Sequence, residues 1–363
     1  MASSLRPSIG WLFAFVPIAA FLAMRHASPP LVFFAAALAI IPIARMIVQA
    51  TERIALRTGD AIGGLLNASF GNAPELIIAL AALRSGYADL VRASLIGAIL
   101  ANLLLTLGIS FLLGGLRYHD QRFNPLAART YSTMMLLAAV SLGVPSAFSR
   151  YFAPEGAVRS EQALNIAIAA VLLVAYGLYL LFSLKTHPGS FKSVETAENG
   201  DNESAEGTVG RAVGSLVAAS IGAAWMSEIL VGAAEGTGEA LGMSQTFVGI
   251  VLVAVVGGAA EAGSAIAMAR KNKVDLTIGI ALGSSIQIAL FVAPVLVLAS
   301  YFIAPQPLEL SFTRAEVGSL FLGVLLGAIV CGDGQSNWYK GVQLVTVYSI
   351  IALMFYFVPE LSS

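Results

Sequence analysis

Apolar residues recur along this chain in runs of about 20, from "WLFAFVPIAAFLAM" near the start to "VQLVTVYSIIALMFYF" near the end. Short polar breaks separate the runs. Such runs predict membrane-spanning helices, because a helix satisfies its own backbone groups in hydrocarbon. Eleven spans are predicted, at 9–25, 31–51, 61–84, 89–115, 127–149, 162–184, 210–236, 243–269, 275–302, 313–332 and 338–358. The connections are short except for residues 185–209.

Composition strengthens this picture. Of 363 residues, 58% are hydrophobic and 11% charged, and the mean hydropathy is +0.83. A soluble protein of this length carries roughly 25% charged residues. The predicted fold class is an all-α polytopic membrane protein. The first apolar run lacks a small-residue cleavage site and reads as a retained first span. The net charge of −1 says nothing about partners, and the lack of a basic tract argues against nucleic acid. The single cysteine, Cys331, excludes an internal disulfide, and His26, His119 and His187 fall at segment ends or in loops, where they make a poor metal site.

Lysine and arginine set the orientation. The N-terminus and the even-numbered loops carry fourteen of the twenty, and the opposite side carries six. The N-terminus is therefore expected to be cytoplasmic, as is the polar, acidic linker "VETAENGDNESAEGT". The expected residence is an inner or plasma membrane of bacterial type.

The linker splits the chain near its middle, and the two parts match at a shift of 186 residues. Gly63 meets Gly249, Gly71 meets Gly257, Glu75 meets Glu261, Arg84 meets Arg270, Asp89 meets Asp275 and Gly97 meets Gly283. Matched glutamate, glycine, arginine and aspartate in one register exceed what an alanine- and leucine-rich composition produces. The expected organisation is an extra N-terminal helix (1–30), a first five-helix repeat (31–184), the linker (185–209) and a second five-helix repeat (210–363). Five is odd, so the second repeat enters the membrane from the opposite side. This 1+5+5 plan of inverted repeats is that of secondary transporters, with the substrate site near midplane.

The matched glutamates carry the candidate chemistry. Pro74 and Gly71 are expected to bend or open the helix before Glu75, beside the polar cluster Asn67, Ser69 and Asn72. Gly257 and Gly258 supply the same freedom before Glu261. Two ionised carboxylates in low dielectric are expensive to leave empty. Two protons neutralise them, and so does one divalent cation. Calcium takes about six to eight oxygens, of which two bidentate glutamates supply about four. Carbonyls near Gly71 and Gly257 and water would supply the rest. Both loaded forms can reorient cheaply and the empty form cannot, which couples cation movement to proton movement. Asn102, Ser284 and Gln287 are polar positions in the following spans, and Asn102 and Gln287 are expected to face a cavity. Glu228 and Glu235, seven residues apart on one helix face, are candidates for an ion pathway, with pairing to arginines at segment ends as the alternative.

These segments resemble a known family. "GGLLNASFGNAPELIIAL", "SEILVGAAEGTGEALGMSQTFVGIVLVAVVGGAAE" and "GSSIQIALFVAP" are similar to signatures of the cation/proton exchangers in the calcium/cation antiporter superfamily. The resemblance spans roughly residues 45–300. It implies eleven helices as 1+5+5, calcium/proton antiport, and alternate binding of cation and protons by Glu75 and Glu261. It also implies that Asn72, Asn102, Ser284 and Gln287 lie near that site. The second signature departs from the family's GNAAEH, with Gly258 and Ala262 in place of asparagine and histidine, and Ala98 and Ala101 stand where serines are usual.

The expected function is secondary antiport of calcium against protons. A sodium or potassium/proton antiporter on the same fold is the alternative, and a cation channel is the alternative from another class. No enzyme is expected, since the spans lack H-E-x-x-H, a serine–histidine pair and paired aspartates. No permanent cofactor is expected. The expected partners are the transported cation, protons and membrane lipid.

Overall fold

The computed structural model describes residues 9–58, 70–152, 158–187 and 209–358. Asn67, Ser69, Gly63, the start of the predicted third span and nearly all of the acidic linker lie outside the described residues.

The described chain is almost wholly helical. Its helices are α1 (Ile9–Met24), α2 (Pro29–Thr58), α3 (Ala73–Arg84), α4 (Ala88–Tyr118) and α5 (Pro125–Tyr151). Then come α6 (Val158–Leu181, continued by a π-turn Phe182–Thr186), α7 (Val209–Leu241), α8 (Gln245–Gly257), α9 (Ala259–Ala269), α10 (Val274–Ile303), α11 (Arg314–Cys331) and α12 (Trp338–Phe357). Among the described residues, eight are long and apolar enough to cross a membrane, and α8 with α9 make a ninth candidate span bent by 59°. α1 is a shorter apolar helix.

Two sequence expectations change in detail. Pro74 does not kink a continuous helix. It occupies the second position of α3, where no helical partner is available for an amide hydrogen. α7 runs past its predicted end at 236 to Leu241 and so carries Glu239 in its last turn.

Packing interleaves the two parts of the chain. α2 packs along α7 and α5 against α11, while α4 packs on α12 as α6 packs on α10. Small residues permit the closest crossing, as expected where apolar solvent gives no hydrophobic drive to associate. A methyl on Gly97 of α4 would run into the backbone of Ile250 in α8. One on Gly249 would sit 2.6 Å from the Ala93 side chain. α4 is the most deeply buried candidate span and α6 the most exposed, so α4 is central and α6 peripheral.

The connections gather at two ends. At one, strands β1 (Asp120–Arg122) and β2 (Gln335–Asn337) pair antiparallel, with Gln121 opposite Ser336. Buried Gln121 donates to Ala269 O at 3.0 Å and Asn272 Oδ1 at 2.8 Å, which ties in the α9–α10 turn. This is the lysine- and arginine-rich end. At the other, residues 304–313 form neither helix nor strand and bury Leu308, Leu310 and Phe312. Their amides donate to Ser300 Oγ, Asn165 Oδ1 and Ser146 Oγ at 2.8, 3.0 and 2.7 Å, replacing the partners a sheet would supply.

Candidate ion-binding site

Two helices start at matched points in the chain. α3 begins after a turn at Gly71–Asn72, and α9 begins after the bend at Gly258. Glu75 and Glu261 each stand third in their helix, one residue ahead of Leu76 and Ala262, whose amides donate to Asn72 O and Gly258 O at 3.0 and 2.9 Å. The partial positive charge of a helix N-terminus thus accompanies each carboxylate. The backbone break and the acid are one local unit, made twice.

A chain of hydrogen bonds crosses between the two parts of the protein beside this pair. Asn102 Nδ2 donates to Ser284 Oγ at 3.0 Å, and Ser284 Oγ donates to Asn72 Oδ1 at 2.6 Å. Asn72 Nδ2 then donates to Gln287 Oε1 at 2.5 Å. Asn72, Asn102 and Ser284 are buried. The sequence-derived polar candidates therefore converge, and they do so on one another. π-helical turns at Ala101–Thr106 in α4 and Ile288–Val292 in α10 adjoin Asn102 and Gln287, widening the helices where their side chains meet.

The carboxylates differ from these neighbours. Both oxygens of Glu75 and Oε2 of Glu261 are sealed from solvent without a hydrogen-bond partner. Glu261 lies within electrostatic reach of Glu75 and of Ser284. Glu75 packs on Gly257, where a Cβ would stand 3.1 Å from its Cγ. Such oxygens demand a proton or a cation.

A cavity of about 260 Å³ reaches Glu261, Gly71, Ser284 and Gln287 from the lysine- and arginine-rich end and is bordered there by Glu52, Tyr131 and Asp275. On the other flank Glu75 borders a small space of about 20 Å³ among Ala98, Ala254, Gly257 and Ile288. Recesses of about 630 and 380 Å³ indent the opposite end without reaching either glutamate.

Glu228 and Glu235 stand apart from the pair. Glu228 is half exposed and meets Arg84 at 3.5 Å, and Glu235 accepts from Tyr87 Oη at 3.2 Å and borders the smaller recess with Glu239. Glu52 and Asp275, on the cavity to Glu261, were not singled out as candidates in the sequence. Asp275 carried a signal, its match with Asp89, whereas Glu52 reads as one charge among the arginines of a helix end.

Fold and site together define a polytopic helical membrane protein of the cation-exchanger class. The chain belongs to the sodium/calcium exchanger protein family, whose description matches residues 28–185 and 211–357. It is similar to a Ca(2+)/H(+) antiporter of Aphanothece halophytica, at 41% identity over 359 residues covering 96% of each chain. It is also similar to the Ca(2+)/H(+) antiporter ChaA of Bacillus subtilis (strain 168), at 40% identity over 342 residues covering 94% of this chain and 96% of that one. The solved structure of native YfkE superposes with a TM-score of 0.83 at 37% identity, over 97% of this chain and 100% of that one.

Proposed function

We propose that this protein is a secondary antiporter that exchanges calcium for protons by alternating access at Glu75 and Glu261. One observation carries the reading: two glutamates at the same place in two matched helix starts, with three buried oxygens that no protein donor satisfies. In one state the pair holds protons and in the other a divalent cation, and an empty doubly charged pair does not cross the barrier. Asn72, Asn102, Ser284, Gln287 and the backbone near Gly71 and Gly257 surround the cation. Relatives named as Ca(2+)/H(+) antiporters, alike over nearly their whole length, support calcium as the cargo.

The architecture we infer is eleven spans arranged as 1+5+5, with repeats at 31–184 and 210–363 around an acidic linker at 185–209. The mirrored pairings α4–α12 and α6–α10 support a pseudo-twofold axis between the repeats. The N-terminus and linker face the cytoplasm, so the cavity to Glu261 is the cytoplasmic approach. Glu235 flanks the approach at the opposite end, and Glu228, seven residues earlier in α7, pairs with Arg84. A cavity that leads to Glu261 from one end supports alternating access over a channel.

The test is reconstitution in liposomes with an acid interior and external calcium, sodium or potassium. Wild-type protein is expected to take up calcium while protons leave, and Glu75→Gln and Glu261→Gln to abolish both fluxes. Calcium flux persisting in both variants sinks the mechanism, exchange of monovalent ions alone selects the sodium or potassium reading, and calcium flux without proton counterflow selects a channel.

A further inference from the structure

Matched turns follow the two helices that carry the glutamates, and they differ in charge. Residues Arg84, Ser85, Gly86 and Tyr87 after α3 correspond to Arg270, Lys271, Asn272 and Lys273 after α9, at the same shift of 186. The backbones agree. Gly86 and Asn272 both stand in the left-handed region, at φ 85° and 62°. The amides of Gly86 and Tyr87 donate to Leu83 O and Ala82 O at 3.1 and 3.0 Å, and those of Asn272 and Lys273 donate to Ala269 O and Met268 O at 3.1 and 2.9 Å. The turn itself therefore needs neither lysine, since serine and tyrosine form it equally well.

The first turn meets acids of α7. Arg84 pairs with Glu228 at 3.5 Å, and Tyr87 Oη donates to Glu235 at 3.2 Å. The positions of α2 that match those acids are Pro42 and Gln49. The second turn has thus gained cations where the matching acids are missing. Arg270, Lys271 and Lys273 are exposed, and among the described residues none of them meets a carboxylate. Asp275 nearby accepts from Asn124 N at 2.7 Å. Arg117, at the end of α4, adds a further cation, and its Nη1 donates to Arg270 O at 3.2 Å. Tyr118 Oη donates to the same oxygen at 3.2 Å, and Gln121 holds Ala269 O and Asn272 Oδ1. The cations are therefore carried on a fixed frame, where like charges repel and an anion offsets the repulsion. Leu113, Leu116 and Arg117 share an exposed face of α4, with the leucines deeper in the span. Trp338 and Tyr339, exposed at the start of α12, mark the headgroup level at this end.

We infer that the turn formed by Arg270, Lys271 and Lys273, with Arg117 beside it, is a seat for the phosphate of an anionic phospholipid whose acyl chain lies along Leu113 and Leu116. The occupant is membrane lipid rather than a soluble anion, because an exposed apolar track leads from the cations into the span. It belongs to the leaflet at the lysine- and arginine-rich end, which is the cytoplasmic leaflet on the orientation proposed above. Lys273 stands two residues before Asp275, which borders the cavity to Glu261. The lipid phosphate therefore also offsets a positive field that would repel a cation entering there.

Native mass spectrometry of the full-length protein in detergent, with phosphatidylglycerol and phosphatidylcholine offered in equal amounts, tests the seat. Wild-type protein is expected to retain phosphatidylglycerol in preference, and added phosphatidylglycerol to raise its unfolding temperature. Lys271→Gln combined with Lys273→Gln is expected to weaken phosphatidylglycerol binding by about tenfold or more, and Lys271→Arg combined with Lys273→Arg to retain it. Lys185→Gln, exposed at the end of the peripheral α6, is the control and is expected to keep the preference. An unchanged preference in the glutamine variant overturns the seat. No preference in the wild type also overturns it, and leaves the lysines as orientation signals alone. A lower unfolding temperature of the glutamine variant with phosphatidylcholine as the sole lipid overturns it too, because the lysines would then pair with an acidic segment of the chain itself. Neither readout requires calcium exchange or a particular orientation, so a failure of the exchanger reading is told apart from a failure of the seat.

Discussion

Asn72 and Gln287 lie 215 positions apart and join their side chains at 2.5 Å across the interface between the two parts of the chain. This contact couples a helix start that carries a glutamate to the helix opposite. In a double-mutant cycle of Asn72→Ala and Gln287→Ala, a coupling of about 0.5–2 kcal/mol is expected from unfolding in detergent. Coupling near zero would mean the two amides choose other partners.

Helix crossing at Gly97 sets a second expectation. A methyl there collides with the Ile250 backbone, whereas the matched Gly283 has nothing within 4 Å of its absent side chain. Gly97→Ala is expected to destabilise by about 1–3 kcal/mol or more, and Gly283→Ala to be tolerated. Thermal unfolding of the two variants side by side checks this, and equal stability would contradict the close crossing.

Glu52 borders the outer part of the cavity that leads to Glu261. Glu52→Gln is expected to raise KM for calcium about two- to fivefold when calcium is presented at that end, through a weaker local attraction for cations. Calcium presented at the opposite end is expected to show an unchanged KM. Vesicles sorted by orientation provide the measurement.

The α11–α12 connection carries a pH-dependent tie outside the spans. Lys340 Nζ meets Asp333 at 2.6 and 2.7 Å and also donates to Val330 O and Gln335 O. Partial burial pushes the Asp333 carboxyl up, but the Lys340 ammonium and the Gln335 amide outweigh it and hold it below the usual aspartate range. A depressed value in the folded state means the unfolded chain binds more protons. The tie is therefore fully present above about pH 4 and is lost as pH falls through the folded value. Asp333 is more than half exposed, so the contribution is expected to be under about 1 kcal/mol. Faster hydrogen exchange at the Gln335 amide on acidification is the readout, and Asp333→Asn is expected to remove the pH dependence.

How far the sequence reaches can be judged residue by residue. The long apolar runs place α4, α5, α6, α10, α11 and α12 within a few residues of their bounds, because hydrocarbon demands length and hydropathy and little else, whereas α2 and α7 run past their predicted ends at 51 and 236 to Thr58 and Leu241. Gly71 and Gly258 marked helix breaks, since glycine there removes the obstacle to a turn. The internal match marked Glu75 and Glu261 as a pair and flagged Asp275, but it is silent on Glu52. Asn72, Ser284 and Gln287 stand out in the sequence only as polar residues among apolar ones, which does not say that they bind one another.

The chain's own pattern of apolar and polar positions thus suffices for its class and its long apolar helices, because both follow from local composition. Which oxygens are satisfied and which remain open does not follow from it. Asn72 is spent on Ser284 and Gln287, while Glu75 is left without a donor. That difference depends on helices about 200 residues apart in sequence meeting at hydrogen-bond distance, where a few tenths of an ångström separate a bonded oxygen from a free one.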